Sequence, residues 1–275
     1  MSLPGRRIEA NGLSFHVVVE GEGQPVLLLH GFPDSSYLWR NQIPALVDAG
    51  YQVIAPDLRG FGQSDRPQDP REYRMETILG DVSGILGSLG VDRSHVVGHD
   101  WGAVVAWTWA ATEPDRMGRL VAISVGHPRS FVRSLVSSSQ AARSWYMLFF
   151  QIPGFSERVL TANDWAAFRR MGRGIPDLDL YISELSRPGA LTAALNWYRA
   201  NAQPWRVQRV PNVRSSTLGI WGAKDFALTE KQMVDSEQYV DAPWRYERFE
   251  SGHWLMLQEK ERLSSLLVEF LEKGP

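Results

Sequence analysis

The chain has no cysteine, which excludes disulfides, thiolate metal sites and cysteine nucleophiles together. Charge of one sign is also lacking. Its 29 Lys plus Arg against 31 Asp plus Glu give a net charge of -2, too little to mark a general binder of nucleic acid or anionic membrane. No apolar run approaches the roughly 20 residues that span a bilayer, and the opening Met1-Ser2-Leu3-Pro4-Gly5-Arg6-Arg7 has no apolar signal core. A cytoplasmic protein without nucleic-acid or membrane partners, monomer or homodimer, is expected. No short His-x-x-x-His spacing supports a zinc site through His30, His99 and His253. Internal repeats are absent, and the only low-complexity tract is Ser137-Ser138-Ser139. What remains is 275 residues of ordinary composition, enough for one large domain or two modest ones.

Asn11-Gly12 lies between Ile8 and the alternating Leu13, Phe15, Val17 and Val19, which predicts a hairpin. Val26-Leu27-Leu28-Leu29 reads as a parallel strand buried on both faces. A helix over 37–49, a strand at Val53-Ile54-Ala55, a helix over 75–89, and strands at Val96-Val97 and Leu120-Val121-Ala122-Ile123 follow. Such alternation is the pattern of an α/β domain with a parallel sheet. After His127-Pro128 the rhythm turns helical, broken at Pro153-Gly154, Gly172, Gly174, Pro176 and Pro188-Gly189, until strand character returns at Thr217-Leu218-Gly219-Ile220-Trp221. The expected organisation is a core over 1–128 and 214–275 with a helical insertion over 129–213. A last strand over 246–249 precedes Ser251-Gly252-His253, and a closing helix runs over about 259–271.

Two features of the insertion bear on ligands. Its aromatics, among them Trp145, Tyr146, Phe149, Phe150, Trp165, Phe168, Trp197, Tyr198 and Trp205, exceed what a small helical layer needs for its own packing, so some should face a cleft. From Arg129 to Arg214 there are twelve Arg, no Lys and five acidic residues, +7, which leaves -9 for the rest of the chain. Solvated arginine faces explain that excess, as does a field that attracts anionic substrates.

Gly98-His99-Asp100-Trp101-Gly102, between the strand at Val96-Val97 and a helical Ala103-Val104-Val105-Ala106-Trp107, has the frame of a nucleophile turn with a carboxylate where serine is usual. The carboxylate redirects the chemistry. Attack on an ester would give an anhydride, whereas displacement at saturated carbon gives an ordinary alkyl ester that water can cleave. Taken alone, Asp100 could equally cap the following helix. Its possible partners are spread along the chain: Asp225 after the strand ending at Trp221, and His253 in a Gly-His loop, giving the order nucleophile, acid, histidine. His30-Gly31-Phe32-Pro33 follows the first buried strand, so backbone N–H groups of Phe32 and Trp101 would form an oxyanion hole.

With His30-Gly31-Phe32-Pro33, Asp57-Leu58-Arg59-Gly60-Phe61-Gly62-Gln63-Ser64, Gly98-His99-Asp100-Trp101-Gly102 and Gly252-His253-Trp254, the chain resembles the epoxide hydrolases of the α/β-hydrolase superfamily over essentially its whole length. The resemblance implies an α/β-hydrolase core with a mostly parallel sheet and a helical cap at the insertion. It also implies hydrolysis of an epoxide to a vicinal diol without a cofactor or metal. Asn196-Trp197-Tyr198-Arg199 and the segment from Tyr146 to Gly154 look like the cap segments that carry two ring-opening tyrosines, Tyr198 and Tyr146. His30, Pro33, Trp101, Phe149, Trp197 and Trp254 are expected around the substrate, a small and largely apolar epoxide. Haloalkane dehalogenases share most of these motifs, with halide held by Trp101 and a second tryptophan such as Trp145 or Trp197; here Phe32 stands where they often carry Asn. A fluoroacetate dehalogenase would need Arg where this chain has Trp101 and Val104, and a non-catalytic small-molecule binder on the same fold is the third reading.

Overall fold

The hairpin forms where Asn11-Gly12 predicts it. In the computed structural model, which describes residues 2–172, 174–203, 207 and 209–272, β1 (Arg6–Ala10) and β2 (Leu13–Glu20) pair antiparallel with Ala10 opposite Leu13. Asn11 and Gly12 both have positive φ, 48° and 77°, as a two-residue type I′ turn requires. Next come β3 (Gln24–Leu29), β4 (Tyr51–Pro56), β5 (Ser94–His99), β6 (Met117–Ile123), β7 (Thr217–Gly222) and β8 (Trp244–Phe249). They complete one eight-stranded sheet in the order β1-β2-β4-β3-β5-β6-β7-β8. The pairs from β4 to β8 across the sheet are parallel, while β1 and β2 form its antiparallel edge.

Alternate residues of the central strands feed two cores. Leu27, Leu29, Val96, Leu120 and Ala122 face one side with α2 (Met75–Ser88) and α3 (Trp101–Thr112). Val26, Leu28, Val97, Val121 and Ile123 face the other with α1 (Gln42–Asp48) and, at the C-terminal end, α12 (Lys260–Glu272). Burial on both faces is why these strands read as continuous apolar runs. The helix expected over 37–49 is split: a 3-10 turn spans Ser36–Trp39 and α1 starts afresh at Gln42. Pro44 accounts for the split, because a residue without an N–H is tolerated in a first turn and not in a helix interior.

Between β6 and β7 the regular elements of the described residues are helices, α4 (Pro128–Ser134), α5 (Ser138–Arg143), α6 (Trp145–Phe149), α7 (Phe155–Met171), α8 (Leu178–Leu185) and α9 (Ala190–Ala200), apart from an isolated bridge of Val213 with Val240. Trp205 lies outside the described residues. α7 breaks at Ala162–Trp165, where Asn163, Asp164 and Trp165 all take positive φ. After β7 come α10 (Glu230–Val234) and, past β8, α11 (Leu255–Gln258). No described helix is long and apolar enough to cross a membrane.

The segment Asp57 to Ser64 is a brace beside the sheet's C-terminal edge. Asp57 accepts N–H bonds from Ser36 and Gln63, each at 2.8 Å. Arg59, 1 % exposed, donates from Nε and Nη2 to the two oxygens of buried Asp81 on α2 at 2.7 and 2.6 Å. Arg59→Met would leave that carboxylate in the interior without its countercharge, which typically costs about 3 to 5 kcal/mol. Urea unfolding should register the loss, and Arg59→Met/Asp81→Leu should recover most of it; a single variant as stable as the parent would refute the pairing.

Candidate active site

The sheet sets the position of the site through its order. β3 is followed by β4 on one side and β5 by β6 on the other, so the chain diverges beyond the carboxyl ends of β3 and β5. Ligands of open α/β sheets bind in the crevice at such a switch point. Phe32 follows β3 and Asp100 follows β5, and they meet there: Phe32 N–H donates to Asp100 Oδ1 at 2.9 Å.

Asp100 has φ 52° and ψ −121°, a backbone conformation that costs a residue with a Cβ and is kept only where the surroundings enforce it. Enforcement comes from close packing at both glycines of the motif. A Cβ on Gly102 would lie 2.1 Å from the Leu29 carbonyl, and one on Gly98 would lie 2.3 Å from the Gly102 carbonyl. Although Asp100 precedes α3, its side chain makes no capping bond to that helix. The helix-cap reading is thereby removed.

His253 and Asp225 stand beside it in the predicted order. Asp225 follows β7, and its Oδ1 accepts the N–H groups of Ala227 and Leu228 at 2.8 and 2.9 Å. Its Oδ2 lies 2.7 Å from His253 Nδ1, fixing the ring, while His253 Nε2 is 3.7 Å from Asp100 Oδ2. Burial, which acts to lower the His253 pKa, is outweighed by Asp225 and Asp100, and the imidazole is held up at about 10. For Asp100 burial acts to raise the pKa, but His253, His99 and the Phe32 amide bring it below the ordinary carboxylate value. Beneath them, burial keeps His99 neutral, its pKa lowered to about 3.

Opposite the carboxylate, Tyr146 on α6 and Tyr198 on α9 have ring centroids 6.0 Å apart. Burial and then the Asp100 charge push both phenol pKa values up, so each keeps its proton. The Trp101 ring lies edge-on to the Tyr198 ring, centroids 5.1 Å apart. Trp101's own amide is the first of α3, next to the carboxylate.

A cavity with about 470 Å³ of empty space, mouth included, is lined by Asp100, His253, both tyrosines, Pro33, Phe32 and Trp254. Other residues expected there lie elsewhere. His30 is fully buried, its Nδ1 2.9 Å from the Gly31 carbonyl oxygen and its Nε2 accepting the Leu58 N–H at 2.9 Å; it braces a loop. Trp197 is wholly buried behind Trp101 and donates its indole N–H to the Arg59 carbonyl at 3.0 Å. Phe149 packs outward on Trp145 and Phe155, and Trp145 is 55 % exposed. Trp101 supports Tyr198 without lining the cavity.

Of the insertion aromatics expected to include cleft-facing ones, Phe150 and Phe168 line the cavity, while sequence reasoning missed Met171, Ile175 and Phe226. The signal available was spacing: Phe150 is four residues after Tyr146, and Phe168 and Met171 are three apart on α7, so each pair shares a helix face. No arginine among the described residues lines the cavity. Several arginines of the helical layer are engaged away from the cavity: Arg199 pairs with Glu157 and Arg187 with Glu184, each at 2.8 Å, and Arg143 donates to the Asp225 carbonyl. That favours solvated and structural arginines over a field for anionic substrates.

Comparison with known proteins agrees with this geometry. The alpha/beta hydrolase fold family matches residues 24–260. The chain is 34% identical over 278 residues to the AB hydrolase superfamily protein YfhM of Bacillus subtilis, covering 96% of each. It is 35% identical over 285 residues to epoxide hydrolase 4 of Mus musculus, covering 97% of this chain and 79% of that one. The crystal structure of epoxide hydrolase A from Mycobacterium thermoresistibile superposes with a TM-score of 0.86 at 30% identity, covering 98% of both chains.

Proposed function

The chain belongs to the alpha/beta hydrolase family and is an epoxide hydrolase, and on that premise we propose that Asp100 opens the ring through a covalent alkyl-enzyme ester. The observation that carries this reading is the disposition of Asp100. One oxygen is held by the Phe32 amide, the other faces His253, and the carboxylate looks into an apolar cavity that also holds two protonated phenols.

Asp100 Oδ2 attacks an epoxide carbon from behind the C–O bond. The oxygen that departs is an alkoxide, about as basic as hydroxide, so a proton must arrive as the bond breaks. Tyr146 and Tyr198 bind that oxygen and one of them gives its proton. Water then adds to the ester carbonyl of Asp100, the phenol is reprotonated, and the diol leaves. Phe32 and Trp101 amides hold the tetrahedral oxyanion at Oδ1, each worth about 3 to 4 kcal/mol of barrier. A dehalogenase would need a second indole N–H at the leaving group. Trp197 spends its own on Arg59, and Trp145 is largely exposed.

The core in this reading is 1–128 with 214–275, and the cap is 129–213. Its substrate is a largely apolar epoxide, matched to a cavity walled by Phe32, Pro33, Phe150, Phe168, Met171 and Ile175.

His253 must be neutral to take a proton from water, yet between two carboxylates it is held at about 10. Alkylation resolves this, because the ester of Asp100 is uncharged and one of the two carboxylates is gone. A base thus appears when there is an ester to hydrolyse. Stopped-flow measurement of the two steps should find alkylation level across neutral pH, where Asp100 is ionised. Ester hydrolysis should rise with pH, with an apparent pKa at least about one unit below the value of about 10 in the free enzyme. Identical profiles for the two steps would argue against the exchange of charge.

The oxygen balance gives the decisive experiment. Water enters at the carbonyl carbon of Asp100, so a single turnover in heavy-oxygen water should leave the label in Asp100 and little in the diol. A fully labelled first diol would mean direct attack of water on the epoxide.

A further inference from the structure

One buried amide links the residues of the two proposed steps. Gln140, on α5, has no exposed surface. Its Oε1 accepts from Thr229 N–H and Thr229 Oγ1, each at 2.9 Å, and its Nε2 donates to the Ala227 carbonyl at 2.9 Å and to Ser144 Oγ at 3.0 Å. Every donor and acceptor of the amide is thereby used. Ala227 to Thr229 continue the turn whose N–H groups hold the Asp225 carboxylate, and Ser144 stands immediately before α6, two residues from Tyr146. Arg143, at the end of α5, donates to the Asp225 carbonyl and, at 3.4 Å, to that of Leu228.

We propose that Gln140 is a positioning residue that ties the phenol of ring opening to the acid of ester hydrolysis, and that Arg143 fixes the acid's loop alone. The inference rests on the assignment of Tyr146 and Asp225 above. A carboxylate that orients a histidine works within a few tenths of an ångström, and a loop is held to that tolerance by bonds at its carbonyls. Asp225 receives those bonds from the helical layer, so the placement of that layer sets the imidazole as well as the phenol.

Single-turnover kinetics with styrene oxide on the full-length enzyme separate the parts. Gln140→Glu keeps the acceptor for Thr229 and removes the two donations that bridge Ala227 to Ser144. It should slow both alkylation and hydrolysis about ten-fold, and Gln140→Ala should slow them further. Arg143→Met should slow hydrolysis alone by a similar factor, lower the apparent pKa of that step, and leave alkylation within about two-fold; Arg143→Lys should restore part of the loss. A general loss of stability would not divide the steps in this way. Gln140→Glu with both constants within two-fold of the parent overturns the proposal, as does Arg143→Met slowing both steps equally. If the parent enzyme forms diol without holding an ester on Asp100, the reading of the reaction fails and this inference with it. If the ester forms and the variants behave as the parent does, only the inference fails.

Discussion

His253→Gln is expected to stop turnover with the substrate still joined to Asp100. Only ester hydrolysis needs the imidazole as a base, so ring opening proceeds and the intermediate accumulates. Loss of a positioned general base costs about 10² to 10⁴-fold, and the upper part of that range applies because His253 Nε2 is the group set beside Asp100, 3.7 Å from Oδ2. Intact-protein mass after mixing with an epoxide should rise by the mass of one substrate, and digestion should place the addition on the peptide containing Asp100. Ring opening itself should weaken toward acid pH. His253 helps hold the Asp100 pKa down against burial, and in the variant that support is lost. Steady diol production at the parent rate, or a variant that never gains mass, would contradict the assignment of the base.

Tyr146→Phe/Tyr198→Phe should abolish ring opening while leaving the second half of the reaction capable. Each single variant removes one donor to the leaving oxygen, at about 10²-fold, the low end of general-acid effects. The double variant should lose about 10³ to 10⁴-fold, less than fully multiplicative if one phenol covers for the other. Phenylalanine keeps the rings and therefore the edge-on contacts among Tyr146, Phe150, Tyr198 and Trp101, so thermal stability should change little. An alkyl bromide serves as the control substrate. Bromide leaves without a proton, and any displacement of it by Asp100 should be indifferent to both substitutions. Diol formation by the double variant near the parent rate would remove the tyrosines from the mechanism.

What could be read from the chain follows from how local each constraint is. The elbow was legible because strand, glycines, carboxylate and helix occupy a dozen consecutive residues, and because Gly98 is demanded by backbone contacts within that same turn, although Gly102 answers to the backbone of Leu29 and His30 where the neighbouring strand ends. Asp225 and His253 were legible by order, each lying just past a strand of the sheet. Side-chain direction inside the helical layer was not. Trp197 and Tyr198 are adjacent, yet one reaches down to the Arg59 carbonyl and the other lines the cavity. Nothing short of the packing of α9 decides between them. His30 has the same lesson in the core: a histidine beside an oxyanion loop suggests substrate, and two backbone contacts make it a brace. Gln140 left no pattern at all, since its four partners come from residues 144, 227 and 229.

The interruption of the sheet between β6 and β7 also sets an order in time. Leu120 pairs with Thr217, so the neighbour of β6 is synthesised only after the whole helical layer. During growth from the N-terminus Asp100, the Phe32 loop and both proposed ring-opening tyrosines emerge while β6 still presents an unpaired edge, the kind of surface on which nascent chains aggregate. The proposed acid and base follow β7 and β8, and β7 is the strand that covers the β6 edge. A fragment ending before residue 217 should therefore leave that edge of β6 uncovered and lack the proposed acid and base, so edge protection and the proposed hydrolytic step arrive in the same final stretch of translation.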